Sequence, residues 1–588
     1  MKKTVRIKHA NDKYVGPRVY EKTPQEMFRP RVASNCEVNR THVFRVKRRT
    51  VAIVVVPGVM ASRLSNLEGN PVWDPDKSYF MMNTYFRCDP EDRYDLLIKN
   101  GRQVMNRGNP EISKKYPKAE ERGWTGLAWD YFGKLLGGLH DWKTAMKVFL
   151  DLPVYAFGYD WVDSCRKSGK ALQQFILEKV KADKVIIISH SMGGLVTRHA
   201  LAGEGGEALA EKVLGVVHGA QPVHGAPDAY HRAIAGTGAE GILGRIASEV
   251  MGPDGPHMTA IIPHAPGVLQ LLPNQFYRNN KGEKAWLHIQ DLDDPKKLTS
   301  YPENDPYEEI YAKSHHRDFW GLIHGEWFQP HAEDGATIER AFRGENTGDN
   351  GGGEPSIALN LRKRLVHAKE VHSLIGPYSH LRTIQLFSNG RHETIAEVCW
   401  LARDITQHVL DAHVEMYSRE DKPLRHLKEL VCVPDFNRFG QYGEVRWRDA
   451  AGALSDVVPG NALLIDLQKR IREQGLRLYL LRMTASGEKV PGLTDDLLRH
   501  QGDGTVPLSS ATGMNPDMNE WGGCTHLLPV WFGPNDECKA CTGQANQEAH
   551  ASFFVDRKGE ALNAVKRAIH NLCLGWLKGE FTWKNAFP

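Results

Sequence analysis

The stretch KADKVIIISHSMGGLVTRHAL, residues 181–201, constrains the fold more than any other part of the chain. Val185–Ile188 is an apolar, β-branched run of strand length. It breaks at Ser189-His190-Ser191-Met192-Gly193-Gly194 and passes at once into a helical pattern. A buried strand that enters a helix through so short a turn presents one residue on a strained backbone, at the strand's end. The turn closes only if the positions two before and two after that residue are small. Ser189 and Gly193 meet this requirement around Ser191. Glycine is commoner at the first position, but serine adds only a short side chain there. The pattern is that of a nucleophile elbow. The Met192 N–H, at the head of the helix, would face negative charge developing beside Ser191.

The flanking sequence supplies a frame for such an elbow. TVAIVVV at 50–56, ended by Pro57-Gly58, and LPVYAF at 152–157 read as strands. Ser164–Val180 carries apolar Leu172, Phe175, Ile176 and Val180 at helical spacing, with Asp163 or Ser164 as N-cap. KVLGVVHGA at 212–220 reads as a further strand. Strands and helices that alternate through short connections predict an α/β fold: a mostly parallel sheet with helices on both faces. After residue 230 the rhythm is lost. The stretch to about 460 is rich in Gly, Pro, His and Trp and contains GENTGDNGGGEP at 344–355. It reads as an inserted cap, with a helix expected over ETIAEVCWLARDITQHVLDAHVEM at 393–416. LRLYLLRMTASG at 476–487 reads as a returning core strand and Gly559–Leu577 as a closing helix. The expected organisation is an N-terminal extension (1–45), the first part of the core (46–230), the inserted cap or lid (231–460) and the second part of the core (461–588).

A length of 588 residues exceeds one minimal core, and 41% hydrophobic with 25% charged residues is ordinary globular usage. A formal net charge of +4 gives no case for nucleic acid. The start, MKKTVRIKHANDKYVGPRV, has lysines but no apolar segment behind them, and no run approaches a membrane span of about 18 apolar residues. A chain made in the cytoplasm without a signal peptide is expected. Cys524, Cys538 and Cys541, with His526 nearby, offer one CxxC without a second pair, which is weak evidence for zinc. The acidic run DLDD at 291–294 reads as a solvated turn. Calcium is compatible with it but not indicated, and no cofactor is required by the sequence.

A serine hydroxyl attacks only when a base takes its proton, so a carboxylate and a histidine should follow in the order Ser, Asp, His. Gly502-Asp503-Gly504-Thr505-Val506-Pro507 is a tight turn that lifts Asp503 out. Among 26 histidines, His550 in NQEAHASFF stands just ahead of an aromatic pair and the last helix, where the base is expected. His526 is the runner-up and His570 the third candidate. The loop after TVAIVVV offers a second oxyanion donor in the Met60 N–H, or less favourably Val59, beside that of Met192. The predicted catalytic set is Ser191, Asp503 and His550.

Taken together, VPGVMASRL, PVWD, FGYDW, SHSMGG, VHGAP and GDGTVP resemble the lecithin:cholesterol acyltransferase and PGAP1-like branch of the α/β-hydrolases, over residues 50–230 and 476–560. The resemblance implies Met60 as an oxyanion donor and Asp503 as the triad acid. The overall form is similar to type VI secretion lipase effectors of the PGAP1-like class. That likeness implies a phospholipase acting on membrane glycerophospholipids of a neighbouring bacterium, a cognate immunity protein and a secretion-apparatus partner. Under it the 231–460 region would be an apolar cap that opens at a lipid surface. Acyl transfer to an alcohol, an inactive hydrolase-fold binding protein and, more weakly, a peptidase are the alternatives the same frame allows.

Overall fold

In the computed structural model, residues 48–407 are described apart from 87, 107–109, 238–249, 280, 314–317, 323, 346–355, 377, 389–393 and 405. Residues 502–514, 550–551, 553–555 and 559–578 are described too; elsewhere only the backbone of some strands and the Met483 side chain are. Most of the N-terminal extension, the greater part of GENTGDNGGGEP, residues 408–416 and Cys524, Cys538 and Cys541 lie outside the described residues, as does the His526 side chain.

The main sheet contains β1 (Arg49–Val56), β2 (Val154–Ala156), β3 (Lys184–His190), β4 (Val213–Gly219), β5 (Thr383–Ser388) and β6 (Thr525–Val530). Its order is β2-β1-β3-β4-β5-β6, and every one of these pairings is parallel. A parallel sheet must be covered on both faces, which explains the β-branched runs. In β1, Val51, Ile53 and Val55 face one core and Ala52, Val54 and Val56 the other. The first core is closed by helices α1 (Trp129–His140) and α5 (Glu560–Lys578), the second by α2 (Cys165–Gln174) and α3 (Met192–Ala202). In chain order α4 (Ile357–Ile375) falls between α3 and α5. This is an α/β-hydrolase fold, with a mostly parallel sheet between two helical layers.

Ser164, not Asp163, caps α2, its hydroxyl accepting from the Arg166 N–H at 3.1 Å. The helix expected to Val180 ends as α at Gln174 and runs on to Lys179 in wider π turns.

The region beyond residue 230 is more regular than its composition suggests. A second sheet orders Leu298–Tyr301, Leu287–Asp291, Val398–Asp404 and Tyr479–Thr484 over a third apolar core. Three expectations are corrected here. Residues 398–404 form a strand where a helix was expected, because Val398, Trp400 and Ala402 alternate into that core while flanking strands take the backbone bonds. Strand 479–484 exists, but it joins the second sheet rather than the main one. Conversely, β5 lies inside the stretch read as inserted and is a strand of the main sheet. Helix α4 joins the layers: Leu361, Leu365 and Ala368 pack into the third core, Val371 and Ile375 into the second. Arg198 of α3, 1% exposed, donates to the carbonyls of Ile375, Gly376 and Tyr378 at the end of α4. No helix among the described residues is long and apolar enough to cross a membrane.

Candidate active site

In register, Ser189 lies opposite Val56 of β1 and His218 of β4, so the ends of the three central strands are level. Among the described residues three non-glycines have left-handed φ: Met60 (62°), Ser191 (50°) and Ala220 (51°). Each stands just past the end of one of these strands. Strain of this kind persists only where the surroundings enforce it, and it gathers at functional sites. Here it gathers around one hydroxyl.

Gly193 shows what enforces the elbow. A Cβ at this position would lie 2.3 Å from the Pro57 carbonyl oxygen and 2.6 Å from that of Val56. The first turn of α3 is therefore pressed onto the end of β1. Ser189 is fully buried, and its hydroxyl hydrogen-bonds His218 Nδ1 at 2.6 Å, so the added side chain is used. The Ser191 N–H donates to the Gly219 carbonyl at 2.9 Å, tying the turn to β4.

The loop after β1 passes directly over the elbow. A Cβ on Gly58 would lie 3.0 Å from both Ser191 Cβ and His190 Nδ1. The Tyr159 hydroxyl donates to the Pro57 carbonyl at 2.9 Å and the Trp73 indole to that of Met60 at 2.7 Å. Farther along, Arg63 pairs with buried Asp74 through two bonds of 2.7 and 2.8 Å. Trp73 and Asp74 belong to PVWD, and Tyr159 to FGYDW. The motifs are visible in the sequence, but their role as braces of the Met60 loop is not.

The acid arrives on the Gly502–Pro507 turn, where Gly504 takes φ 91°. Asp503 is 2% exposed. Its Oδ1 accepts from the N–H groups of Val506 (2.7 Å) and Thr505 (3.0 Å), and its Oδ2 from His550 Nδ1 at 2.7 Å. Burial acts to raise its pKa, but His550 and these backbone N–H groups outweigh it and hold the carboxyl below its ordinary value. On the other side of the ring, His550 Nε2 lies 2.8 Å from Ser191 Oγ. Ser191 is 3% and His550 9% exposed. The structure thus brings Ser191, His550 and Asp503 into one hydrogen-bonded chain. Met192 opens α3, and Met60 lies two residues after Gly58, on the loop that passes over Ser191. His570 lies on α5, and His526 lies on β6 with its side chain outside the described residues.

Such an arrangement can deprotonate a hydroxyl, hold the resulting imidazolium against a carboxylate and offer backbone N–H groups to an oxyanion. Among the described residues no group of three His, Cys, Asp or Glu side chains is placed to hold a metal ion. In the DLDD run, Asp291 Oδ1 accepts from the N–H groups of Asp293 and Asp294, and Asp293 pairs with Arg403. It is a self-bonded turn. Sequence reasoning passed over His190, whose ring lies against that of His550 with centroids 5.1 Å apart.

Comparison with known proteins gives a fold and a partial match to one family model. Residues 93–274 match the family model described as lecithin:cholesterol acyltransferase, a range that contains Ser191 but not Met60, Asp503 or His550. No curated protein matches the chain. A solved structure, the crystal structure of a Tle4-Tli4 complex, is similar at 19% identity and TM-score 0.59, covering 90% of this chain and 99% of that one. Aspergillus fumigatus lipase B is matched at 11% identity over 56% of this chain and 63% of that one, with a TM-score of 0.18 that carries no weight. The chain is an α/β-hydrolase in fold, and its residues 93–274 resemble the lecithin:cholesterol acyltransferase family.

Proposed function

We propose that this chain is a serine ester hydrolase acting on acyl esters of membrane glycerophospholipids. The observation that carries the reading is the continuous Ser191–His550–Asp503 hydrogen-bond chain on a strained elbow. His550 Nε2 takes the proton as Ser191 Oγ attacks the acyl carbonyl. The N–H groups of Met192 and Met60 stabilise the oxyanion, and the leaving alcohol departs with the proton from His550. Water then repeats the sequence on the acyl-enzyme. Asp503, ionised and accepting from the Thr505 and Val506 N–H groups, fixes the ring with Nδ1–H toward itself and leaves Nε2 free to accept.

The lipid substrate is supported by the match to an acyltransferase family whose named substrate is a phospholipid. The similar fold solved as a Tle4-Tli4 complex supports a dedicated protein partner, which we read as an immunity protein, and with it delivery by a secretion apparatus to a target-cell membrane. The test is acyl release from a defined phospholipid by wild type and by Ser191→Ala, with serine-directed phosphonate labelling alongside. Labelling without acyl release would leave a serine hydrolase with another substrate. A wild type inert to both would mean a binding protein on a hydrolase fold. The family's name also favours a second reading, acyl transfer to an alcohol. Added sterol or diacylglycerol would then divert product from free fatty acid to ester.

A further inference from the structure

The catalytic reading leaves one buried ionisable ring beside the site without a task. His190 is the residue before Ser191, 6% exposed, and it ends β3. Its Nε2 lies 2.9 Å from the backbone carbonyl oxygen of His550. A carbonyl only accepts, so Nε2 carries the hydrogen and donates. Its other nitrogen, Nδ1, is buried and has no hydrogen-bond partner among the described residues. That side of the ring faces Gly58, where a Cβ would sit 3.0 Å from Nδ1. Phe132, Phe553 and Phe554 surround the ring with centroids 5.7 to 6.3 Å away.

From this geometry we infer that His190 is a positioning residue that holds the base at its working distance from the nucleophile. The inference rests on His550 being that base. Asp503 fixes the rotation of the His550 ring through Nδ1, but a bond at the ring's far edge does not fix where the backbone of residue 550 stands. The carbonyl of His550 does so, by accepting from His190; the Phe553 N–H reaches the same oxygen only at 3.4 Å. Because His190 and Ser191 are joined by a peptide bond, a closed ring results. Ser191 Oγ bonds His550 Nε2, and His550 carbonyl bonds back to Ser191's neighbour. Opening one link frees the other by the tenths of an ångström that matter to proton transfer.

The ring is also suited to stay neutral. Protonation would place on Nδ1 a hydrogen that no described residue is placed to receive, in an aromatic enclosure. Burial first, and then the His550 charge, push its pKa down to about 3. His190 therefore does not compete with its neighbour for the proton in catalysis.

The test compares His190→Gln, which keeps an amide donor, with His190→Met and His190→Phe, which have none, on full-length protein. Thermal unfolding identifies the folded variants. Phospholipid turnover and the rate of phosphonate labelling at Ser191 are then read, with Ser191→Ala in the same assay. The donorless variants should lose about tenfold or more in both kcat and labelling rate, with KM nearly unchanged, because a misplaced base slows the chemical step and leaves substrate binding alone. Gln should recover to within about threefold of wild type, since an amide N–H replaces the imidazole donor. Wild-type kcat and labelling in a folded Met or Phe variant would overturn the inference, and so would a Gln variant as impaired as Met. If neither donorless variant folds, a crystal structure of the phosphonate adduct decides. The His190–His550 bond must persist beside the labelled serine, and a broken bond overturns the role. Full activity of Ser191→Ala would instead defeat the catalytic reading itself.

Discussion

Gly193 has no room for a side chain, because the missing Cβ would press on backbone oxygens of Val56 and Pro57 rather than on a movable group. Gly193→Ala should therefore cost about 1–3 kcal/mol, read as a lower urea midpoint, and depress turnover because the same loop carries Met60. Full stability with full turnover would mean the loop is not pressed on the elbow. Ser189 behaves differently. Ser189→Gly restores the residue commonest at this place but removes the bond to His218, at about 1 kcal/mol, and activity should stay within a few-fold of wild type. A dead enzyme would give Ser189 a role beyond packing. Asp503→Asn should cost on the order of 10⁴ in turnover, as loss of the oriented tautomer does in other serine triads. A loss below about tenfold would remove Asp503 from the mechanism. These residues were legible because small-residue spacing and a glycine-flanked aspartate are local signals. His190, Trp73 and Tyr159 were not read for their roles, since each acts through a carbonyl on a distant segment.

Between elements, the legible part of the fold was the alternating frame from β1 to β4, where period and length agree with each other. The next core strand, β5, was missed because it lies within 231–460, after a helix and a glycine-rich tract, and no repeat announces it. Strand 398–404 was read as helix because a short apolar run is ambiguous until its neighbours are known. The position of β5 changes how the cap is to be tested. A deletion of 231–460 would remove an interior strand and unfold the protein, so a cap deletion must end before residue 383. The joint between layers is α4, and Arg198 holds its end. Arg198→Met should cost about 2–4 kcal/mol by leaving buried carbonyls unpaired. It should also speed limited proteolysis near residues 376–382 before the rest of the chain is cut. Uniform cutting would show that Arg198 does not hold this joint.

Across the whole molecule the buried histidines set an acid limit. Burial pushes His190 and His218 down to about 3, and His199, His372 and His380 down to about 4. In the unfolded chain each would titrate near 6.5. Below that pH the unfolded state binds protons that the folded state refuses, so each group lowers stability as pH falls from about 6.5 toward its folded value. The slope is up to about 1.4 kcal/mol per pH unit for each. Asp503, with its depressed pKa, keeps its contribution above the ordinary carboxylate range and loses it only as pH falls through its folded value. The urea midpoint should therefore drop clearly between pH 7.5 and pH 5, and an unchanged midpoint would contradict the neutral, buried state of these rings. The central claim concerns chemistry, however, and one comparison tests it most directly: acyl release from a defined phospholipid by wild type and Ser191→Ala at matched folded concentration. Release by wild type with a loss of about 10⁴-fold or more in the variant is the result expected for a serine nucleophile. Equal release from both proteins would contradict it.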